Sequence, residues 1–504
     1  MSFKEFVSKV RRVDETLLLG ALVLALVFLL AFQLQQASNN REKLKGIPTV
    51  GSSGFVASWK DAFRFLFHSK DIIEKGYRKY HGIVFKLSSL DATSDLLQMD
   101  YTIGRDVFAD PYHIGVVRNA LTRNIATCFA DVADEIQEAF NDNIPMTEGT
   151  KFCGLFRLLA YETPTDWMNV PIYERILQID FPSEYYKNVN PKYIRYRPHP
   201  GVYQTQHQLH GQCFRLRSYH QPIPVIPKAS RGVPLDTSQA RFSQGGKILR
   251  PDYPRTTARR EHSRKRLTGK LNDLLSWLLD TTNGNKERHD IQDLITRILL
   301  LNLGAIHTTS MVFKTAVYAL ATHPEYVEIL RTEVESAIAE EGWTKAAVGK
   351  MDRLDSFLKE AQRVYGDLGI FSVRRTARKD FIFSDGTVVP AGSQIAVAAL
   401  STHLDEENYE DPLQFKPWRF SEQRKQEVEG NHQQMVILSL DYLLFGIGRS
   451  ACPGHFFAVN MLKTLTAHVL LNFDVKIDCI DQFFTHQASN QRRDVFFRKR
   501  AGVP

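Results

Sequence analysis

The chain has 504 residues, 43% apolar and 24% charged, which is the balance of an ordinary globular protein with ample length for a large core. Its formal charge of +8 permits an acidic protein partner or an anionic membrane surface, but no basic cluster interleaves with aromatics as a nucleic-acid module requires. Five cysteines, Cys128, Cys153, Cys213, Cys452 and Cys479, with no CxxC pair, exclude a disulfide framework and suit a reducing compartment.

Thr16 to Leu34 (TLLLGALVLALVFLLAFQL) carries no charge and is flanked by Arg11 and Arg12 on one side and Arg41, Lys43 and Lys45 on the other. About 20 apolar residues span a bilayer. A cleaved signal peptide is the rival, with Ala37-Ser38 its candidate cleavage site. Residues 1–36 therefore read as a membrane anchor, and basic residues at both ends leave its orientation open. Residues 37–51 follow as a stiff hinge containing Pro48 and two glycines, Gly46 and Gly51. No later stretch reads as a second span, so 52–504 forms the main body.

Within that body Asn188 to Arg250 is crowded with Pro, Gln, His, Arg and Ser and has no sustained period. It reads as a disordered loop or as an aberrant stretch such as a retained intron. The clear helical periods come later, over His289 to Leu320, Tyr326 to Ala339 and Leu354 to Tyr365. Phe381 to Ala399 alternates in strand fashion, punctuated by Ser384-Asp-Gly386 and Pro390-Ala-Gly392. Pro453 to Asn472 is a last long helix. The expected fold is mainly α with a small sheet.

Three segments carry chemistry. In Phe445-Gly-Ile-Gly-Arg-Ser-Ala-Cys-Pro-Gly454, Gly446 and Gly448 let backbone lie against something flat and bulky. Cys452 then falls at a helix start, where free N–H groups and the helix dipole favour thiolate. A lone cysteine is more often a small buried hydrophobe, and zinc finds only Cys452 and His455 nearby, too few ligands. Glu360-Ala-Gln-Arg363 alone is an ordinary i,i+3 ion pair. Gly304-Ala-Ile-His-Thr-Thr309 places a glycine mid-helix, costing roughly 1 kcal/mol. There Thr308 can bond back to the Gly304 carbonyl and bend or open the turn. Taken alone it reads as a tolerated glycine and a satisfied threonine.

In order and spacing these segments resemble the cytochrome P-450 family in its fungal, membrane-anchored form. Phe445, Gly448, Cys452 and Gly454 match the haem-binding loop, Glu360 and Arg363 the ExxR pair, and Pro417-Trp-Arg-Phe420 the PxRF segment. The resemblance is dense from Leu271 to Phe473, returns over Met99 to Ile144 (MDYTIG, HIGVVRNALTRN), and fails over Asn188 to Arg250. The link from Phe85 to Leu96 is shorter than the family's first sheet. Three substitutions depart from the pattern: Ser450 for a basic residue two before the cysteine, with Arg449 adjacent; His455 for a frequent arginine; and His307 for an acid beside Thr308.

The resemblance implies a helical prism around haem b, between the long central helix and the cysteine-loop helix. Cys452 would ligate iron, with Phe445, Gly448 and Arg449 in the loop against the haem. Thr308 and His307 would manage protons, and Arg375 and Trp167 would hold propionates. Glu360, Arg363 and Arg419 would brace the loop. It further implies hydroxylation of a lipophilic small molecule, plausibly in fungal secondary metabolism. Dioxygen and NADPH electrons would be used, passed on by NADPH–cytochrome P-450 reductase, with the protein single-pass in the endoplasmic reticulum and its body cytosolic. A haem-thiolate isomerase or dehydratase, or a catalytically defective haem protein, stands as the alternative.

Overall fold

The computed structural model describes residues 42–51, 55–87, 109–144, 167–171, 272–282, 291–366, 372–426, 433–477 and 495–500, with a few isolated positions. The anchor (except Leu24, Phe28 and Gln35) and the 188–250 stretch lie outside the described residues.

In chain order the elements are β1 (Thr49–Val50), α1 (Phe55–Lys79), β2 (Lys86–Leu87) and α2 (Tyr112–Gly115). A π-helical turn (Val116–Leu121) joins α2 to α3 (Thr122–Asn143), before β3 (Met168–Val170). Next come α4 (Leu274–Thr281), α5 (Ile291–Thr322), α6 (Val327–Glu341), α7 (Lys345–Lys350) and α8 (Asp352–Tyr365). Strands β4 (Ser372–Thr376), β5 (Phe381–Ile382), β6 (Val388–Val389) and β7 (Gln394–Val397) precede α9 (Ala399–His403) and α10 (Arg419–Gln426). The chain closes with α11 (His455–Asn472), β8 (Phe473–Lys476) and β9 (Val495–Lys499). Mainly helical with small sheets, this is the expected class.

Two units divide the chain: residues 1–90 with 373–398, and residues 91–372 with 399–504. In the smaller unit β1 pairs β2 in parallel, Thr49 opposite Lys86. The stretch read as a hinge therefore ends in a strand. Gly51 sits at φ +113°, where an added Cβ would lie 2.5 Å from Asp61 Oδ2. The strand alternation resolves into an antiparallel β5–β6 hairpin and a β4–β7 pair. The hairpin turns where Ser384-Asp-Gly386 was expected to turn it. Gly386 takes φ +82° there, and Asp385 Oδ1 accepts from the Thr387 amide at 2.8 Å.

The larger unit is built on α5. This helix is long and apolar enough to cross a membrane, contrary to the expectation of no second such stretch. It is instead a core helix, with 56% of its apolar window buried inside the protein. It packs on α8 and α11, and Phe313, Ala316, Val317 and Leu320 are wholly enclosed. Glu333 on α6 accepts from the Arg353 and Leu354 amides at 2.8 and 2.9 Å, satisfying the open N-terminus of α8. Strands β3, β9 and β8 form a three-stranded sheet in that order.

Candidate active site around Cys452

The ion pair that reads as a surface feature is fully buried: the side chains of Glu360 and Arg363 are both 0% exposed. Arg363 Nε and Nη2 donate to the two Glu360 oxygens, each at 2.8 Å. Nη1 donates to the carbonyls of His403 and Pro412 at 2.7 Å each, and Nη2 also reaches the Gln414 carbonyl at 3.3 Å. Every guanidinium N–H is thereby satisfied, which burial of this cation demands. Arg419 on α10 donates from Nε to Glu360 Oε1 at 3.1 Å, and its Nη1 and Nη2 hold the Glu410 and Asp411 carbonyls. So Glu360, Arg363 and Arg419 meet as one cluster.

The same helix gathers the irregular chain after α9. Ser356 Oγ donates to the Pro417 carbonyl at 2.7 Å and accepts from the amides of Phe420 and Ser421 in the first turn of α10. Asp355 Oδ2 accepts from the Met435 amide at 2.9 Å and from Arg424. These side chains supply backbone partners that a segment without ladders lacks.

His403 connects the cluster to the cysteine loop. Its carbonyl accepts from Arg363, and its Nε2 accepts from the Leu443 amide at 2.8 Å. The ring is therefore neutral, stacked 5.3 Å from Tyr442, and burial followed by the Arg363 charge pushes its pKa down to about 4. From Leu443 the loop turns through Gly446 (φ +67°) and Gly448 (φ +70°), both in the left-handed region that favours glycine. The Cys452 amide closes it by donating to the Phe445 carbonyl at 2.8 Å. His455 Nδ1 donates to the Cys452 carbonyl at 2.7 Å, and the Phe445 ring stands 6.0 Å from its imidazole.

Cys452 lies three residues before α11, not at its first turn. Burial raises its thiol pKa, and a backbone bond from Gly454 only partly opposes this. Burial of the thiol thus opposes the thiolate bias expected of a helix start.

On α5, Gly304 and Thr308 are exposed while Ile306, Thr309 and Ser310 are buried. Thr308 Oγ1 donates to the Gly304 carbonyl at 2.7 Å. The helix does not open: it runs unbroken through this stretch. A Cβ on Gly304 would meet nothing within 4 Å, so the helix face beside Thr308 stands open. His307 is half-buried and points about 100° round the helix from Thr308.

Arg297 shares a stripe about 40° wide with Gly304 and Thr308. It is buried, donates to Asp293 Oδ2 and the Asp110 carbonyl at 2.8 Å each, and meets His113 Nδ1 at 2.9 Å. Arginine only donates, so His113 accepts at Nδ1 and carries its proton on Nε2. Burial, then the Arg297 charge, lowers its pKa to about 4. One turn further on, Val117 would be 3.6 Å from a Cβ on Gly454, and Arg118 Nη2 donates to the Arg449 carbonyl at 3.3 Å. Val117 and Arg118 thus lie against the cysteine loop. His113, Arg118, Arg297 and His403 were not assigned from sequence. The segment HIGVVRN was noticed, but nothing local marks its contacts.

Three residues expected to contact the cofactor are Trp167, Arg375 and Arg449. Trp167 is not on a helix: it immediately precedes β3, which pairs with β9 in the register Met168 to Phe497. Its ring carries Lys476 Nζ at 4.7 Å and Arg498 Cζ at 4.6 Å. The pairing partner comes from the far end of the chain, which local sequence cannot reveal. Arg375 is exposed on β4 in the smaller unit and turns Nη1 back to the Arg374 carbonyl at 2.7 Å. Arg449 and Ser450 are both exposed on the short 3-10 turn Gly448–Ser450.

The donor set suits haem. Among the described residues no cluster of three His, Cys, Asp or Glu could hold a zinc ion, so Cys452 offers one soft sulfur and no competing ligand shell. The uncovered Gly304–Thr308 face of an otherwise buried helix leaves room for a flat apolar group.

The family model described as Cytochrome P-450 matches residues 253–490. Cytochrome P-450 monooxygenase 151 of Postia placenta is 36% identical over 472 residues, covering 87% of this chain and 89% of that protein. Cytochrome P-450 monooxygenase 103 of the same fungus is 34% identical over 512 residues, covering 95% and 97%. Among solved structures, the cytochrome P-450DA heme domain aligns with a TM-score of 0.60 over 90% of this chain and 97% of that one. At 16% identity that likeness concerns the fold.

Proposed function

Since the chain belongs to the cytochrome P-450 family of monooxygenases, we propose that it hydroxylates a lipophilic small molecule of fungal secondary metabolism. It would use dioxygen and NADPH electrons delivered by a membrane-bound reductase. Residues 16–34 would hold it in the endoplasmic reticulum membrane with the body in the cytosol.

The observation that carries this reading is a lone sulfur, Cys452, in a glycine-shaped loop braced from the Glu360–Arg363–Arg419 cluster. Bound haem supplies redox-active iron for dioxygen cleavage, which a thiolate ligand favours by donating electron density. Cys452 would hold the haem iron through its sulfur. Phe445 and Gly448 shape the loop on that side. The His113 Nε2–H, Arg118, Arg449 and Arg375 are the candidate partners for haem carboxylates, and His113 takes the part first assigned to Trp167.

Thr308 donates its hydroxyl proton to the Gly304 carbonyl, which leaves its oxygen lone pairs free to accept from water. His307, next to it in sequence, would be the proton source and sink. Glu360, Arg363 and Arg419 act through His403 on the loop and touch no reacting atom.

The test is the reduced, carbon monoxide-bound absorption spectrum beside that of Cys452→Ala. A strongly red-shifted Soret band in the parent, absent from the variant, is expected. No haem signal, or an unchanged one, would overturn the assignment. Oxygen-dependent NADPH consumption with a reductase then separates hydroxylation from isomerisation or dehydration.

A further inference from the structure

Arg297 on α5 is a buried cation, 2% exposed, that directs its guanidinium at the short stretch around α2. Nη1 donates to the Asp110 carbonyl and to His113 Nδ1, and the guanidinium carbon lies 4.0 Å from the centroid of the Tyr112 ring. Nε donates to Asp293 Oδ2, and Tyr112 Oη donates to the same oxygen at 3.0 Å. A planar fork held on its edges and on one face keeps a single orientation. His113 Nδ1 therefore has a fixed donor in front of it.

The other ring nitrogen tells a different story. His113 is 5% exposed, and among the described residues no protein atom accepts from its Nε2–H. A buried N–H without an acceptor is unfavourable, so this one calls for a partner from outside the chain. The two nitrogens of an imidazole face different ways, and Nε2 points away from Arg297. Arg297 shares its stripe of α5 with Gly304 and Thr308. Val117 and Arg118, just after His113, lie against the cysteine loop at Gly454 and Arg449. His113 thus belongs to a segment that touches both the central helix and the loop of Cys452.

We propose that Arg297 is a positioning residue for haem: it fixes the His113 imidazole so that Nε2–H meets a haem carboxylate. Arg297 itself touches no reacting atom. Its donor at Nδ1 leaves no place for a proton on that nitrogen, so the ring stays neutral. Burial, then the Arg297 charge, also disfavour the imidazolium, while Asp293 and Asp110 oppose them. This rests on the chain binding haem through Cys452, and the experiment separates the two.

The ferric holoprotein is examined by resonance Raman spectroscopy for the haem propionate bending mode. The parent is compared with His113→Phe, with Asp293→Asn, and with the double variant Asp293→Asn, Arg297→Met, which removes the ion pair as a unit. The expected result is a shifted mode in His113→Phe and the same shift in the double variant. Haem transfer to apomyoglobin should be about tenfold faster in both, the loss expected of one hydrogen bond to a charged group. Asp293→Asn alone keeps Arg297 on His113 and should keep the parent mode. A parent mode in the double variant beside a shifted one in His113→Phe overturns the positioning role. An unshifted mode in His113→Phe places the haem carboxylates elsewhere and also overturns it. The parent gives a second readout that no folding defect in the double variant can touch: nuclear magnetic resonance of the carbon monoxide-bound protein with isotope-labelled histidine, His113 being assigned by its absence from His113→Phe. Its proton should sit on Nε2 and the ring should stay neutral at about pH 5.5, a unit below the ordinary imidazole value. A proton on Nδ1 overturns the proposal. A parent without the red-shifted Soret band removes the haem reading, and the proposal with it.

Discussion

His455 Nδ1 donates to the carbonyl oxygen of Cys452 at 2.7 Å, so the first residue of α11 holds the residue expected to bind iron. The bond fixes the imidazole with its proton on Nδ1 and pins the loop three residues upstream.

Replacing His455 with alanine removes that donor and costs about 1 kcal/mol of loop stability. Haem retained per polypeptide should fall, and His455→Asn, which can still donate from its amide, should recover part of it. Equal haem content in all three proteins would show that the bond does not hold the loop.

Glu360→Gln leaves Arg363 and Arg419 buried without their counter-charge. Breaking a buried pair in this way costs about 3–5 kcal/mol. The urea midpoint should drop accordingly. Arg363→Lys should not rescue the fold, because an ammonium cannot reproduce the fork that holds two carboxylate oxygens and three carbonyls. A loss below about 1 kcal/mol in Glu360→Gln would contradict this account.

Acid should destabilise the protein through its buried histidines, partly offset by Glu135, whose carboxyl burial pushes up to about 7. His113, His403 and His468 have folded pKa values lowered to about 4 from 6.5. In that window the unfolded chain binds more protons, so stability is full above pH 6.5 and is lost as pH falls toward 4. His403 alone accounts for at most about 3 kcal/mol at its fully buried position. Thermal midpoints measured from pH 8 to 4 should decline over this range, and the decline should flatten in His403→Gln.

Thr308→Ala should leave the fold intact, since the residue is exposed, while lowering the fraction of NADPH that ends in hydroxylated product. The remainder should appear as hydrogen peroxide. Thr308→Ser, which keeps the hydroxyl and its bond to Gly304, should stay near the parent. Unchanged coupling in the alanine variant would remove Thr308 from the proton route.

Much of the fold is legible in the chain because its signals are local. The periods of α5, α6 and α8, the glycines of the β5–β6 turn and the two left-handed glycines before Cys452 depend only on near neighbours. The rest depends on distant partners. Nothing near Trp167 announces that the strand after it pairs with β9. Glu360 and Arg363 have the spacing of a surface pair, and only the packing of α8 encloses them. His403 carried no signal, since its partners lie 40 residues away on both sides.

The sequence by itself determined the class of fold, the family and the sulfur on which the chemistry depends, because backbone conformation and apolar periodicity are written over a few residues. Tertiary structure decided which charges are dry, which histidines stay neutral and that burial opposes ionisation of the Cys452 thiol. Those properties follow from burial and from hydrogen-bond partners far along the chain, and desolvation exists only once the chain has closed around them.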